Sequence, residues 1–481
     1  MSTKKLKVAI CGGGIGGLTC AVMLSRCADI DVEIYEAAAE FTEVGAGIGV
    51  WPRVWRILEK LGLAEDFARV TAVKPTYDKS DAFIFRKADQ PQGVDFYQLV
   101  TQGSFLRYHR PDVLQVLVSH VGPSCRIHYS TRLQSYTRTL SGTVELTFAD
   151  GSTSSCDVLI GSDGIKSAVR RSMVSDWAAR AKAEGKTREA EVLMEKIEPR
   201  WTGIVAYRAL IPTERLAAYK DAHPEEHVRV PQQNSIPIMY MGQNVNVVVY
   251  PISSGRLINI GAFHAREELA GTQFPGPSVT NVETEELLEI HKDWEDELKA
   301  ILRCVEKPSR WAIHASKPLP TWVSENVALL GDAAHAMSPQ QASGAGQAIE
   351  DAYILCTLLA HPLTTRTTTS RALRIYDTIR RPIAEEIAER ALLNGRLFGL
   401  QLPEHEDLAY TFNARSSMSS NDPRVYERFH ADRHPERLGE VGEAIKANWR
   451  WAWATSAEAP LREAVRRLEA EAGVVSERAM M

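Results

Sequence analysis

An α/β fold is predicted for this chain: a parallel-sheet domain opened by a βαβ unit, a second domain built on a β-sheet, and a helical carboxyl-terminal region. Three observations predict it. Apolar, strand-like runs (Leu6–Cys11, Val158–Gly161 and residues 327–330) each lead into a glycine–acid signature: Gly12-Gly13-Gly14-Ile15-Gly16-Gly17, then Asp163-Gly164, then Gly331-Asp332. From Trp201 to Trp311 the pattern turns strand-rich, and after Gly331-Asp332 long helical stretches follow.

The elements follow in order. Residues 6–11, the glycine loop, a small-residue helix near 18–27 and a strand at 32–36 make the βαβ unit. Residues 51–61 and, after Pro111 and Asp112, residues 113–121 have helical spacing. Asp150-Gly151 is a hairpin turn that leads into the strand before Asp163. Residues 176–199, rich in Ala, Lys, Glu and Arg, read as a solvated helical insertion. Strands are expected at 204–211, 228–230, 236–241, 245–250 and 257–263, with Asn244 and Asn246 alternating against Val245 and Val247 as in a sheet with one buried face. A charged amphipathic helix is expected at 284–305, and further helices at 348–359, 371–391 and 461–470. Trp449, Trp451 and Trp453 read as a packing cluster.

At 481 residues the chain can fill two or three domains, and a hydrophobic share of 44% with 24% charged residues is that of a globular protein. A formal net charge of −5 argues against a nucleic-acid or anionic-membrane partner. No run of 18 apolar residues is present, so no transmembrane segment is expected. The short basic stub 1–7 enters the first strand directly, without room for a leader. Seven scattered cysteines without a CxxC pair point to reduced thiols in a cytoplasmic protein, not to a metal or disulfide framework.

Gly12, Gly14 and Gly17 fit the G-x-G-x-x-G fingerprint of a Rossmann-like domain, whose glycines admit a pyrophosphate to the helix amino end. Glu36 closes the second strand, 19 residues beyond Gly17, where a carboxylate can accept from ribose hydroxyls; FAD or NAD would fit. Ser343-Gly344-Ala345-Gly346 opens a helix whose free amides and dipole favour an anion.

The later motifs separate the two cofactors. Val158-Leu159-Ile160-Gly161-Ser162-Asp163-Gly164 with Ser167 and Arg170 resembles the DG motif of flavoprotein aromatic hydroxylases. Leu330-Gly331-Asp332-Ala333-Ala334-His335 with Pro339 resembles their GD motif, and Tyr108-His109-Arg110 carries their cofactor-contacting arginine. The resemblance runs nearly end to end. It is closest to the salicylate-hydroxylase-like branch of FAD-dependent group A monooxygenases, with further matches at Glu43-Val44-Gly45-Ala46-Gly47-Ile48 and Ala206-Tyr207-Arg208-Ala209-Leu210.

That resemblance implies a p-hydroxybenzoate hydroxylase-like fold: a discontinuous FAD-binding domain (1–75, 103–195, 317–370), a substrate domain (76–102, 196–316) and a helical region (371–481). It implies FAD held by Gly12, Gly14, Gly17, Glu36, Gly47, Gly49, Arg110, Asp163, Asp332, Gly344, Ala345 and Gly346. NADH or NADPH would dock transiently, since no second glycine loop is visible, and O2 would react at the flavin as a C4a-hydroperoxide. The expected activity is hydroxylation of a phenol or hydroxybenzoate, with CO2 release if the attacked carbon carries a carboxylate. A dearomatising phenol hydroxylase, an epoxidase and a non-enzymatic flavin-fold binding protein are the alternatives, and family analogy suggests a homodimer. Arg208 and Tyr250 are the substrate-handling candidates, for the anion and the phenolic oxygen; His314 and His335 are read as structural. Gln340, Ala342-Ser343 and Arg53 depart from residues common in the branch, and all are expected to border flavin and substrate.

Overall fold

The computed structural model describes residues 4–41, 47–232, 234–401 and 437–473. Six strands form one sheet in the order Val323–Ser324, Val327–Leu329, Val158–Gly161, Leu6–Cys11, Ile30–Tyr35 and Arg126–His128. All pairs are parallel save the first. Their near-continuous apolar runs suit strands buried on both faces. The three strands that lead into the glycine–acid turns are neighbours, so all three turns meet beyond the carboxyl ends of one sheet, where open α/β sheets bind ligands.

A second sheet of eight strands runs Val279–Asn281, Ser309–Ala315, Arg200–Pro212, Leu257–Ala265, Val245–Ile252, Ile238–Gly242, Lys79–Lys87 and Val94–Gln102. Val247, Val249 and Tyr240 face a core shared with Leu216, Leu287, Leu298 and Ile301 from the helices Thr213–Ala222, Thr284–Ile290 and Asp296–Arg303. A short ribbon, Gly47–Val50 paired with Leu106–His109, stands against this sheet. The Asp150-Gly151 turn joins Val144–Phe148 to Thr153–Cys156, with Gly151 at φ +84°.

The helices Ile15–Leu24 and Gly344–Ala360 pack in one core with the first sheet. Thr369–Phe398 runs on through Pro382 well past residue 391. Leu438–Trp449 and Glu458–Glu471 complete the described carboxyl-terminal helices. The 176–199 segment forms parts of two helices, Ala168–Ala183 and Thr187–Glu195, largely exposed but with Ala178, Ala181 and Ala190 packed together.

Several expectations need correction. Residues 228–230 form no strand: Val228 is buried in the core while Arg229 pairs with Glu297 at 2.6 Å, and Pro231 follows. The strand expected from 236 starts at Ile238, because Pro237 has no N–H for the ladder. The helix expected over 284–305 breaks into two. Glu295 leaves helical geometry to meet Arg86 on the sheet (Arg86 Nε to Glu295 Oε1, 2.7 Å), and its amide donates to Ala88. Tertiary contacts override local periodicity here. Asn246 is not on a solvated face; it is buried against a cavity.

No described helix is long and apolar enough to cross a membrane. All seven cysteines are free, and no cluster of potential metal ligands occurs among the described residues.

Candidate active site

A cavity of about 600 Å³ lies between the carboxyl ends of the first sheet and the open face of the second. At its nucleotide end the chain leaves the first strand at Gly12, with φ +102°; a Cβ there would lie 2.3 Å from the Ser162 carbonyl oxygen. Gly17 is equally constrained, for its Cβ would sit 2.0 Å from Gly12 O, so it serves the close packing of loop and helix and does not line the cavity. Gly14 does line it, and an added Cβ would meet open space. Glu36 accepts from the amides of Gly13 and Ala38, each at 2.7 Å, which fixes its carboxylate at the cavity rim.

Asp163 is committed to its own helix: its carboxylate accepts from Ser167 Oγ (2.5 Å), Ala168 N (2.7 Å) and Val169 N (3.1 Å). Burial raises its pKa against those bonds. It lines the cavity while capping the helix Ala168–Ala183. Arg170 spans from Lys317 O (2.5 Å) to Ala333 O and Ala334 O (both 3.2 Å), tying that helix to the GD turn.

Gly331 takes φ +58°, and Asp332 opens the turn Asp332–His335 facing the cavity. Behind it lies a buried charge cluster. Asp351 Oδ2 accepts from Gly331 N (3.0 Å) and meets His335 Nε2 (2.6 Å), while Arg380 Nε donates to Oδ1 (2.8 Å). Glu350 bridges Arg380 to Arg53 (2.9 Å). Arg53 therefore does not border the cavity, contrary to expectation. Burial alone would raise the Asp351 carboxyl, yet His335 and Arg380 hold it at about 2. His314 is occupied with Ala312 O at 2.9 Å.

Gly344 and Ala345 line the cavity at the start of the helix Gly344–Ala360, whose first amides lack intrahelical partners. Gly346 faces away, where a Cβ would meet Val54 at 2.8 Å. Arg110 lines the same region; burial lowers its pKa and Asp332 opposes that fall.

On the second sheet Arg208 and Tyr250 both reach the cavity. The Arg208 guanidinium stacks over Trp311, 4.9 Å from the ring centroid, and no carboxylate pairs with it among the described residues. Burial lowers its pKa. Burial likewise pushes the Tyr250 phenol up to about 12, against the pull of Arg107 and Arg208. Gly47 N donates to Asn259 Oδ1 (3.0 Å), and Gly49 is glycine because a Cβ would lie 2.5 Å from Phe105. Residues 43–46 of the Glu43–Ile48 match lie outside the described residues.

The comparisons with known proteins agree with this geometry. A family model described as an FAD binding domain matches residues 5–250 and 264–391. A salicylate hydroxylase of Pseudomonas putida is 33% identical over 98% of this chain and 97% of its own. An FAD-dependent monooxygenase of Strobilurus tenacellus is 31% identical over 97% and 98%. The chain belongs to the salicylate-hydroxylase-like FAD-dependent monooxygenases. A solved salicylate hydroxylase substrate complex superposes with a TM-score of 0.75 at 28% identity, covering 96% of this chain and 98% of that one.

The residues of this monooxygenase fit FAD. Gly14 and Gly344 leave backbone bare at two helix amino ends, Glu36 stands at the rim, and Arg110 and Asp332 face each other's charge at the cavity. Sequence reasoning missed several lining residues of the second-sheet side. Asn246 and Val248 share one strand face with the expected Tyr250, and Phe263, Phe398 and Trp449 supply apolar wall. Trp449 both packs, stacked on Phe83 with centroids 5.2 Å apart, and lines the cavity. Alternation within residues 245–250 was the available signal, but it cannot tell a cavity from solvent. Arg107 was also missed: it is buried, held by Ser235 O at 2.7 Å, and lowered by burial to about 10.

Proposed function

We propose that this monooxygenase hydroxylates a small phenolic or hydroxybenzoate substrate with NADH or NADPH and O2, releasing CO2 when the attacked carbon bears a carboxylate. One observation carries the reading: Arg208, a desolvated cation with no carboxylate partner among the described residues, lines a cavity whose neighbouring walls are aromatic. Holding a partly desolvated charge without a partner is unfavourable, and an anionic substrate oxygen would offset that cost.

Bound FAD, once reduced, supplies the activated oxygen. The protein's part is binding and proton placement. Arg208 offers a planar fork to a carboxylate or phenolate. Tyr250 stays neutral at physiological pH, so its hydroxyl can donate to the substrate oxygen and favour the ionised phenol, the better nucleophile. Phe83, Phe105 and Phe263 keep water from the ring. The amides at Gly344 and Ala345 favour negative charge beside them.

The test follows NADH and NADPH oxidation by FAD-loaded protein over a panel of hydroxybenzoates and alkylphenols, tracking product, peroxide and CO2. Hydroxylated product with matching CO2 from 2-hydroxybenzoate supports the decarboxylating reading. Tyr250 favours a second reading, a dearomatising phenol hydroxylase, marked by oxygenated product from a phenol without a carboxylate. Oxidation unmoved by any phenol would sink both.

A further inference from the structure

Asn246 and Gln340 are 4% and 6% exposed, and both line the cavity. Asn246 Oδ1 and Gln340 Oε1 have no hydrogen-bond partner among the described residues. A buried amide left unmet costs about as much as a lost hydrogen bond, so each side chain keeps hydrogen-bonding capacity for a ligand in the cavity that both border. Their placement is specific. Asn246 and Tyr250 face the same way from one strand, with Val248 between them. Four residues of strand span about 13 Å. Two hydrogen bonds of about 2.8 Å take up part of that, leaving the breadth of one substituted ring.

We infer that the substrate carries a second polar group, a hydroxyl or amino substituent across the ring from its anionic oxygen, received by the amides of Asn246 and Gln340. The inference rests on the hydroxybenzoate reading above and adds the ring's substitution pattern. Either amide can turn to present oxygen or NH2, so the pair accepts from a hydroxyl and can donate to it as well. A site built to hydrogen-bond such a group rejects the analogue that lacks it, because the amides are then buried unmet.

The experiment measures dissociation constants of 2-hydroxybenzoate and of its 4-hydroxy and 5-hydroxy derivatives on the FAD-loaded enzyme. Calorimetry and the perturbed flavin spectrum both report binding without turnover. The wild type should bind one derivative roughly tenfold tighter than the parent, the value of one good hydrogen bond. Asn246→Leu and, independently, Gln340→Met should bring the ratio of the two constants toward one, with FAD content and melting temperature confirming folded protein. Derivatives no tighter than the parent, or a ratio unmoved in both variants, would overturn the inference while the hydroxybenzoate reading stands. Failure of fully FAD-loaded enzyme to bind any of the three would overturn that reading and the inference with it.

Discussion

Gly47 lies against Tyr250: a Cβ on Gly47 would sit 2.0 Å from the Tyr250 hydroxyl oxygen and 2.7 Å from its Cζ. The glycine amide also holds Asn259, which stands opposite Tyr250 across the sheet. The ribbon Gly47–Val50 and the substrate-side sheet thus meet at one tyrosine. Gly47→Ala must push the phenol aside, and displacement of about 1 Å can cost about a hundredfold in rate. Steady-state kinetics on FAD-loaded Gly47→Ala should show that order of loss in kcat/KM. In a Tyr250→Phe background the same change should cost less, since the colliding hydroxyl is gone.

Arg208 gives the opposite signatures in stability and function. Replacing a half-buried cation that has no carboxylate partner among the described residues with a neutral side chain of similar length removes a desolvation penalty. Arg208→Met should therefore melt no lower than wild type while KM for the best hydroxybenzoate rises by about a hundredfold or more, the cost of losing a bidentate charged contact. A marked fall in melting temperature would show that the guanidinium is structural.

Asp351 ties the GD turn to the helix behind it, and its acidity sets a pH window. Its folded pKa, about 2, lies below that of an unfolded aspartate near 3.9, despite burial that acts the other way. The carboxylate's contribution is present above pH 4 and is lost as pH falls toward 2. Acid titration of stability should therefore show a wild-type loss in that interval, of order 2 kcal/mol from this group, that is absent from Asp351→Asn. The variant itself should be less stable at neutral pH by about 3 kcal/mol, because Arg380 loses one of its two buried carboxylate partners and keeps only Glu350. It should also bind FAD more weakly, as Gly331 N loses the oxygen that orients Asp332.

Ala342 occupies left-handed backbone at φ +49° on the cavity wall, a conformation that favours glycine. Left-handed geometry costs a non-glycine residue roughly 1–2 kcal/mol, more than glycine's extra unfolded-state entropy. Ala342→Gly should raise unfolding stability by about 0.5–1 kcal/mol, read by denaturant titration. A loss of stability would mean that the alanine methyl, close to Gly49, matters more than the backbone strain.

What the sequence could and could not reveal follows from where the constraint resides. The βαβ unit and the Gly331 turn were legible because Gly12 and Gly17 leave no room for a side chain and Gly331 takes positive φ, so the chemistry is written locally. Arg53 was misplaced because its partner, Glu350, lies almost 300 residues away. Asn246 read as solvated because alternation reports that a strand has two faces, not what covers the second. The break at Glu295 was invisible for the same reason: Arg86, which draws it out of the helix, belongs to a distant strand.

The most direct test of the central claim is a turnover of FAD-loaded enzyme under ¹⁸O2 with NADH or NADPH and its best-bound hydroxybenzoate, followed by mass analysis of the product. One labelled oxygen should appear in the ring hydroxyl, with labelled product in step with CO2 where the attacked carbon bore the carboxylate. Peroxide as the sole fate of O2 across every phenol bound, or product oxygen drawn from water, would contradict it.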